Sequence, residues 1–452
     1  MLTFSQELEL VKNIARAVQE RGGTAYYVGG FVRDELMGHE CKDIDIEVHG
    51  IEANDLENIL DTFGTRIEIG KSFGIYNIRG CTVDIALPRK ETATGRGHRD
   101  FAVDTDPFIG TCGAAVRRDF TINALMKNVL SGELTDHFGG LDDLKKGVIR
   151  HVCDQSFGED PLRVLRAAQF AARFEFDIAD ETIDLCREMD IGTLSEERVF
   201  EELKKALLKA DKPSLFFEKL HSMNHLGVWF PEVMQLKNVP QNPRFHAEGD
   251  VWTHTMMVLD EAASVRHLVK NPVGFMLSAL VHDFGKIVCT KEIDGVLHSY
   301  NHEIEGLPLV KAFIRRLTNE NALLKYVLNM SELHMKPNTL AANNSSVKAT
   351  NKMFDLSCEP EDLIYLALCD DKGRISSAQS RNSESFLEQR FEIFREYMSR
   401  PFVSGKDLID SGIQPGEHFR LLLEYAHKLR LSGVDKASAL KQTLAEAQKL
   451  KK

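Results

Sequence analysis

The spacing of hydrophobic and polar positions predicts a mixed α/β segment at the start of the chain. Residues 1–22 carry apolar side chains at helical intervals, which predicts an amphipathic helix. Short apolar or alternating runs then predict strands of one sheet up to about residue 87. Among them are AYYV at 25–28 and IDIEV at 44–48, and a helix is predicted over 51–62. This mixed pattern ends near residue 150.

Beyond residue 150 the apolar positions recur every three to four residues in nearly every segment. This spacing predicts helices over 160–174, 197–209, 214–222, 253–267, 273–283, 303–318, 361–369, 384–398 and 417–431. The stretch NVPQNP at 238–243 predicts a linker, and a softer break is expected near Pro401. The predicted fold class is α+β, a small mixed head followed by an all-α body, with parts at 1–150, 151–238, 244–378 and 379–452.

Composition limits the function classes. The net charge of −12 speaks weakly against a nucleic-acid partner, but Lys and Arg cluster locally, as in 163–173 and 436–452. The eight cysteines form no CxxC pair, which argues against a zinc ribbon or disulfide framework and fits a reducing compartment. The start of the chain does not resemble a signal peptide, and no membrane span is expected, so a cytoplasmic protein is predicted.

The predicted strand in KDIDIEV carries two candidate metal ligands. Asp43 and Asp45 are two residues apart, so alternation places both carboxylates on one face and Ile44 and Ile46 on the other. Carboxylates aimed at one point repel each other unless a cation lies between them, and their oxygens suit Mg²⁺. With Asp84 on a neighbouring strand, three carboxylates can hold two metals for in-line phosphoryl transfer. Taken alone, the aspartate pair is equally typical of a solvated edge strand.

Two glycines precede this strand in VGGFVRD, where Gly29 and Gly30 allow a phosphate to approach the backbone. Together, VGGFVRDELMG and KDIDIEV resemble the nucleotidyltransferase signature of the polymerase-β superfamily. Within it they resemble class II tRNA nucleotidyltransferases and the related bacterial poly(A) polymerases. The resemblance implies a polymerase-β-like head in which Asp43 and Asp45 bind Mg²⁺ and Asp84 supplies the third acidic position.

Two further segments extend the resemblance. RRDFTINAL at 117–125 resembles the family segment that contacts the sugar and phosphates of the nucleotide. GEDPLRVLRAAQFAARF at 158–174 resembles the EDxxR segment, in which an acid and a base read the nucleobase; taken alone, it is equally typical of an N-capped helix with a salt bridge. The implied nucleotide-binding set is Gly29, Gly30, Arg33, Arg117, Asp119, Asn123, Asp160, Arg163 and Arg166.

Base reading by Asp160 and Arg163 is chemically reasonable. Cytosine and adenine each present an amino donor beside a ring-nitrogen acceptor, which a carboxylate and a guanidinium can pair. Uracil and guanine present the opposite order. The implied function is therefore addition of CCA to the 3′ end of tRNA from CTP and ATP. The polar, basic loop over 89–107 resembles the flexible loop of members that add the final A. A-adding, CC-adding and poly(A) polymerase activities remain alternatives.

The second half of the chain contains a metal-ligand pattern. LVHDFGK at 280–286 follows HAEGDVWTHT at 246–255, and the family resemblance adds the aspartate of LALCDDKGR. The predicted ligands of a divalent metal are His254, His282, Asp283 and Asp370, with His302 and His334 as further candidates for a second metal. The resemblance implies an HD phosphohydrolase domain. A hydrolase or a nucleotide-sensing regulator, with the head as a binding module, is the alternative from another class.

Overall fold

A computed structural model describes residues 2–41, 43–68, 74–93, 101–244, 246–375 and 383–450. The chain forms two compact units. Unit 1 contains Met1–Ala206 and Leu215–Val228, and unit 2 contains Leu207–Ser214 and Trp229–Lys452. The finer division into four parts stays a prediction.

Unit 1 contains the mixed sheet that the sequence predicts. Its strands are β1 (Thr24–Val28), β2 (Asp45–His49), β3 (Arg66–Glu68), β4 (Ile75–Ile78), β5 (Asp84–Ala86), β6 (Arg89–Ala93), β7 (Phe101–Thr105), β8 (Met126–Asn128), β9 (Leu134–Thr135), β10 (Val148–Ile149) and β11 (Asp177–Ile178). Seven of them form a sheet in the order β3-β4-β5-β2-β1-β8-β9, in which β2 and β5 run parallel and the other neighbours antiparallel.

Helices cover this sheet and continue through the rest of unit 1. They are α1 (Phe4–Glu20), α2 (Gly30–Leu36), α3 (Ala53–Leu60), α4 (Gly110–Ala115), α5 (Gly140–Lys146), α6 (Asp154–Gly158), α7 (Leu162–Phe174), α8 (Asp180–Arg187), α9 (Glu196–Lys209), α10 (Ser214–Ser222) and α11 (Leu226–Trp229). A capping box between Thr3 and Gln6 begins α1. Its apolar stripe, including Val11 and Ile14, is fully buried in the core that contains Ile44 of the sheet. Burial of that stripe stabilises the sheet on this side.

The prediction of a loop over 89–107 is wrong where the structure describes this segment, because it contains two strands. β6 and β7 pair antiparallel there, with Arg89 opposite Thr105. The β-branched Thr and Val residues of these segments favour strands. Residues 94–100 of the predicted loop lie outside the described residues.

Unit 2 is helical, as predicted. Its helices are α12 (Pro231–Gln235), α13 (Val251–Val265), α14 (Pro272–Val281), α15 (Lys286–Cys289), α16 (His302–Glu305), α17 (Leu307–Leu317), α18 (Asn321–Leu333), α19 (Met335–Ala342), α20 (Val347–Leu356), α21 (Pro360–Lys372), α22 (Ser383–Ser399), α23 (Gly405–Asp410), α24 (Phe419–Leu431) and α25 (Lys436–Leu450). The single helix predicted over 303–318 is two helices, because the chain turns at Gly306 and restarts with Pro308 in the first turn of α17.

A short hairpin interrupts the helices of unit 2. Its strands are β12 (Lys291–Ile293) and β13 (Val296–His298). Asp294 and Gly295 join them with φ angles of 52° and 76°, the left-handed conformation that a two-residue hairpin turn requires.

One segment of unit 2 has the length and hydropathy of a membrane span. Pro272–Cys289 has a mean hydropathy of 1.3 over 18 residues, but 72% of it is buried inside the protein. Its apolar character is accounted for by packing in the core of unit 2.

Candidate functional site

The predicted aspartates of the head lie on neighbouring strands. Asp45 begins β2 and stands opposite Asp84, the first residue of β5, in the parallel pair. Ile44 and Ile46 are buried in the core on the other face of β2, as alternation requires. Asp43 is exposed just before the strand. The structure therefore brings the three predicted carboxylates to the edge of the sheet at which the interior strands β2 and β5 begin.

The electrostatics of this edge fit a cation. Burial first, and then the charges of Asp84 and Asp43, raise the pKa of the Asp45 carboxyl, against the opposing charge of Arg118. The neighbouring carboxylates thus disfavour the ionised form of Asp45, which a divalent cation would relieve. Oxygen-only ligands of this kind suit Mg²⁺.

The glycine turn lies beside an arginine. Gly29 precedes α2 with φ 64° and ψ −131°, a conformation that only glycine adopts readily. A Cβ at Gly29 would lie 3.1 Å from Nη1 of Arg118. Arg118 in turn donates from Nη2 to Glu47 Oε2 over 3.3 Å. A guanidinium is therefore held over the turn where a phosphate is expected.

Four predicted nucleotide-binding residues form one hydrogen-bonded chain. Arg33 Nη1 donates to Asn123 Oδ1 over 2.5 Å, Asn123 Nδ2 donates to Asp119 Oδ1 over 2.9 Å, and Arg166 donates from Nε and Nη2 to Asp119 Oδ2. Burial would raise the pKa of Asp119, but Arg166 and Asn123 outweigh it and hold that pKa below its usual value. Arg33 is buried, with its guanidinium 4.8 Å from the ring centre of Phe174. Arg33 therefore supports the site from a buried position, through its hydrogen bond to Asn123.

The proposed base-reading residues, Asp160 and Arg163, are three apart in the chain, and each side chain is hydrogen-bonded to other residues of unit 1. Arg198 Nη2 donates to both carboxylate oxygens of Asp160, over 3.1 and 2.9 Å. Arg163 donates to the backbone carbonyls of Ser156 and Arg117, over 2.6 and 2.8 Å. The side chain of Arg117 points to Glu159, with Nη2 3.1 Å from Oε2.

The predicted histidines and aspartates of unit 2 converge on one buried centre. The six residues form two clusters, and within each cluster the ligand atoms lie within 4.8 Å of one another. One cluster is His254, His282 and Asp370, and the other is Asp283, His302 and His334. All six residues are at most 5% exposed. They come from five segments, with His254 on α13, His282 and Asp283 after α14, His302 on α16, His334 after α18 and Asp370 on α21.

Each histidine points its Nε2 atom at this centre. The Nδ1 atoms lie against backbone carbonyls, at 3.1 Å for His254 and Gly373, 2.8 Å for His282 and Ala279, 2.8 Å for His302 and Ser299, and 2.7 Å for His334 and Ser331. A carbonyl only accepts, so Nδ1 carries the proton and the Nε2 lone pair is available to a metal. This tautomer fits a divalent metal centre.

Asp283 belongs to the second cluster and also lies close to the histidines of the first. Its Oδ2 is 3.6 Å from His254 Nε2 and 3.3 Å from His282 Nε2, and its Oδ1 is 3.2 Å from His302 Nε2. Within the described residues, Oδ2 accepts no hydrogen bond of regular geometry, although Lys286 Nζ is 2.6 Å away. Burial would raise the pKa of Asp283, but Lys286 and His282 hold it well below its usual value. An ionised carboxylate with one oxygen toward each cluster can bridge two metals.

Gly285 permits this close assembly. A Cβ at Gly285 would lie 1.9 Å from the backbone oxygen of His302, so only glycine lets the segment carrying His302 approach the segment carrying Asp283.

Comparison with known proteins assigns the family. A family model described as the poly A polymerase head domain matches residues 25–150, and one described as the probable RNA and SrmB-binding site of polymerase A matches 175–236. The multifunctional CCA protein of Pasteurella multocida is 35% identical over 405 residues, covering 86% of this chain and 92% of that protein. This chain belongs to the multifunctional CCA protein family. The multifunctional CCA protein of Xanthomonas campestris is 33% identical over 428 residues, covering 92% of this chain and 99% of that protein. The family resemblance inferred from the sequence is confirmed.

Solved structures of CCA-adding enzymes share the fold. The Bacillus stearothermophilus enzyme in complex with CTP has a TM-score of 0.68 at 19% identity and covers 99% of this chain and 98% of its own. The Thermotoga maritima enzyme complexed with tRNA has a TM-score of 0.61 at 22% identity, with 98% and 96% covered. The predicted α+β class, a polymerase-β-like head followed by a helical body, is confirmed.

One residue of the head, Glu47, was missed in the sequence analysis. Glu47 is the third carboxylate on the face of β2 that carries Asp45, and it is buried. It contacts Arg118 and lies 2.9 Å from His49 Nε2. Burial would raise the pKa of Glu47, but His49 and Arg118 lower it below its usual value. Alternation in IDIEV was a signal that could have identified Glu47.

Glu248 is a further missed residue, beside the metal centre. Its Oε1 is 3.3 Å from His254 Nδ1 and 2.7 Å from His246 Nδ1, and its Oε2 accepts the backbone N–H of Ile375 over 3.0 Å. Burial would raise the pKa of Glu248, but hydrogen bonds, first that from His254, lower it to about 2. His246 and His254 are near Glu248 in sequence, but the contact with Ile375 is 127 residues away and no local pattern predicts it.

Proposed function

We propose that this protein adds CCA to the 3′ end of tRNA, using CTP and ATP and releasing pyrophosphate. The observation that carries the proposal is the parallel pairing of Asp45 with Asp84 beside the Gly29 turn. The chain's family membership, and the structures of CCA-adding enzymes with ATP, CTP and tRNA that share its fold, support these substrates. The eight cysteines, all free, support a cytoplasmic location.

In this reaction the tRNA 3′-hydroxyl attacks the α-phosphate. Mg²⁺ held by Asp43, Asp45 and Asp84 would stabilise the charge that develops on the phosphoryl oxygens. Arg118, placed over the Gly29 turn, would bind the triphosphate. Glu47 would fix the orientation of that guanidinium, and the Asp119–Arg166 ion pair would support the sugar side of the nucleotide.

Base selection requires a rearrangement of the contacts seen here. Asp160 would exchange a hydrogen bond from Arg198 for the amino group of cytosine or adenine, and Arg163 would release Ser156 or Arg117 to donate to the ring nitrogen. The buried Nη1 of Arg198 has no hydrogen-bond partner within the described residues, so it has a donor available when Asp160 moves.

The test is incorporation by the purified protein into tRNA that lacks CCA, with labelled CTP and ATP supplied separately and together. Addition of two C residues and one A supports the proposal. Long A tails indicate poly(A) polymerase activity, and incorporation of only one base indicates a partial A- or CC-adding enzyme. Asp45→Asn is the negative control, and Glu35→Gln, an exposed carboxylate of the same unit, is the matched control.

We propose a second activity, hydrolysis of phosphate esters at the buried centre of unit 2. Four imidazoles with available Nε2 atoms and two ionised aspartates support it. Divalent metals held there would activate water and polarise the phosphate. Lys286, which donates to Gln241 and contacts Asp283, would hold the phosphate against the centre.

This second activity is tested separately from the first. The protein is loaded with Mg²⁺, Mn²⁺ or Ni²⁺ and supplied with a nucleoside 2′,3′-cyclic phosphate and a 3′-monophosphate. Hydrolysis that is lost in Asp283→Ala and retained in Asp45→Asn assigns the reaction to unit 2. Activity that survives in Asp283→Ala contradicts the proposal.

A further inference from the structure

The segment between the metal ligands Asp283 and His302 exposes an unusual amount of apolar surface. Val288, Ile293, Val296, Tyr300 and Ile304 are each between 42% and 66% exposed. Isolated exposed apolar residues need no explanation, but five within 17 residues indicate a binding surface. Tyr300, at 66%, is the most exposed of them.

Two of these residues, Ile293 and Val296, share one face of the hairpin with Lys291 and His298. Lys291 pairs with His298 and Ile293 with Val296, and opposed residues of an antiparallel pair project to the same side. Glu292 and Leu297 project to the other side. The ring of Tyr300 stacks on that of His298, with centroids 4.9 Å apart and planes 15° apart. The face thus carries an aliphatic pair, an aromatic stack and one cation.

This face is connected directly to the metal centre. Ser299 lies between His298 and Tyr300 in sequence. Its backbone oxygen accepts the Nδ1–H of His302 over 2.8 Å. Its side chain also contacts Thr290 across the base of the hairpin, with the hydroxyl oxygens 2.8 Å apart. The residue that orients a metal ligand therefore lies in sequence between the two residues of the aromatic stack.

We propose that Lys291, Ile293, Val296, His298 and Tyr300 form a stacking platform for the nucleobase of a nucleotide whose phosphate lies at the metal centre. The proposal rests on the phosphohydrolase function proposed above and adds to it a subsite that contacts the base of the substrate. A base has a flat π face that stacks on Tyr300, and Lys291 attracts a flanking phosphate. A protein partner would explain the exposed aliphatic residues but not the connection to His302.

Two substrates test the platform by hydrolysis. Adenosine 3′-monophosphate carries a base, and glycerol 2-phosphate does not. Tyr300→Ala is expected to raise KM for the first by about tenfold, the loss typical of one base–aromatic stack, and to leave KM for the second unchanged. Tyr300→Phe, which keeps the ring, should match the wild type, as should Phe402→Ala, which removes another exposed aromatic ring of unit 2.

A binding measurement gives a readout independent of turnover. The probe is 2-aminopurine riboside with a 3′-phosphonomethyl group, which cannot be hydrolysed and whose fluorescence is quenched on stacking. Half-saturation is expected at about tenfold higher protein concentration in Tyr300→Ala. Quenching that persists in Asp283→Ala belongs to another site and is subtracted.

The outcomes separate the two proposals. Equal effects of Tyr300→Ala on both substrates, or no effect on either, overturn the platform. So does a dimer of the wild type that dissociates in Tyr300→Ala, which assigns the face to a protein contact. If neither substrate is hydrolysed but the probe binds in a Tyr300-dependent manner, the platform stands and the hydrolase function is overturned.

Discussion

Asp45 and Asp84 are direct neighbours across the parallel strands β2 and β5. Burial and the charge of Asp84 raise the pKa of Asp45, so the ionised pair is costly unless a cation accompanies it. The residues proposed to bind Mg²⁺ are therefore expected to lower the stability of the metal-free protein.

Replacing Asp45 separates these two roles. A carboxyl with a raised pKa contributes stability that is present below its unfolded pKa and lost as pH rises through the folded value. Asp45→Asn should therefore raise the unfolding temperature in EDTA at pH 7, and the gain should shrink as pH falls towards 4. Nucleotide addition should fall by about a thousandfold or more. Thermal unfolding with EDTA and with Mg²⁺ is the measurement. A variant less stable than the wild type in EDTA at pH 7 would contradict the repulsion.

The Glu47–Arg118 contact predicts an effect on triphosphate binding. Loss of a hydrogen bond to a charged group costs about 1.5–3 kcal/mol. Glu47→Gln should therefore raise KM for CTP and ATP in parallel by roughly tenfold or more, with little change in kcat, because the amide no longer fixes the guanidinium. Steady-state kinetics with both nucleotides check this, with Glu35→Gln as control. A change for one nucleotide alone would assign Glu47 to base reading instead.

Arg163 is predicted to select the base. Arg163→Ala should reduce the preference for CTP and ATP over UTP and GTP by about tenfold, because an unmatched buried group costs about 1–3 kcal/mol. Arg163→Lys should not restore it, since an ammonium lacks the planar fork of donors. The measurement is competition between nucleotides on one tRNA. Unchanged preference with lower turnover and stability would show that Arg163 only ties the backbones of Ser156 and Arg117 together.

Local sequence pattern was sufficient to predict the parts of the fold whose own residues show strand alternation or helical spacing. Alternation in KDIDIEV places Ile44 and Ile46 in the core and the aspartates opposite, and the helical spacing locates α7 and α10 within two residues. The hairpin β12–β13 was missed although KEIDGVLH contains an Asp-Gly turn between alternating residues. That signal was available.

Contacts between distant segments explain what the sequence could not predict. Asp160 is held by Arg198, 38 residues later, and Arg163 by carbonyls that no pattern distinguishes. Glu248 meets Ile375 over 127 residues. The direction of a side chain in such contacts is decided by the packing of the whole unit. Composition and periodicity therefore do not predict it.

Glu248 is predicted to set the affinity of the centre for metal. Its carboxylate contacts the Nδ1 side of His254, and loss of such a partner typically weakens metal binding by about 10–100-fold. Glu248→Gln should show that loss in a chelator competition titration while nucleotide addition stays at the wild-type rate. Glu392→Gln, an exposed carboxylate of the same unit that pairs with Arg395, is the control. Equal metal affinity in Glu248→Gln and wild type would limit Glu248 to tying the chain at Ile375.

The position of Asp283 between two histidine clusters predicts a metal count. If its two oxygens serve different metals, Asp283→Ala should reduce bound metal from two per chain to none. His254→Ala and His302→Ala, each confined to one cluster, should each retain one. Elemental analysis after dialysis gives the count. Thermal unfolding with and without EDTA gives a second readout, because metal that binds only the folded protein stabilises it by about 2.7 kcal/mol at a hundredfold excess over Kd. That stabilisation should be absent in Asp283→Ala and partial in the other two. A count of one in the wild type, unchanged in His302→Ala, would mean that His302 and His334 are buried structural histidines and that Asp283 serves a single metal.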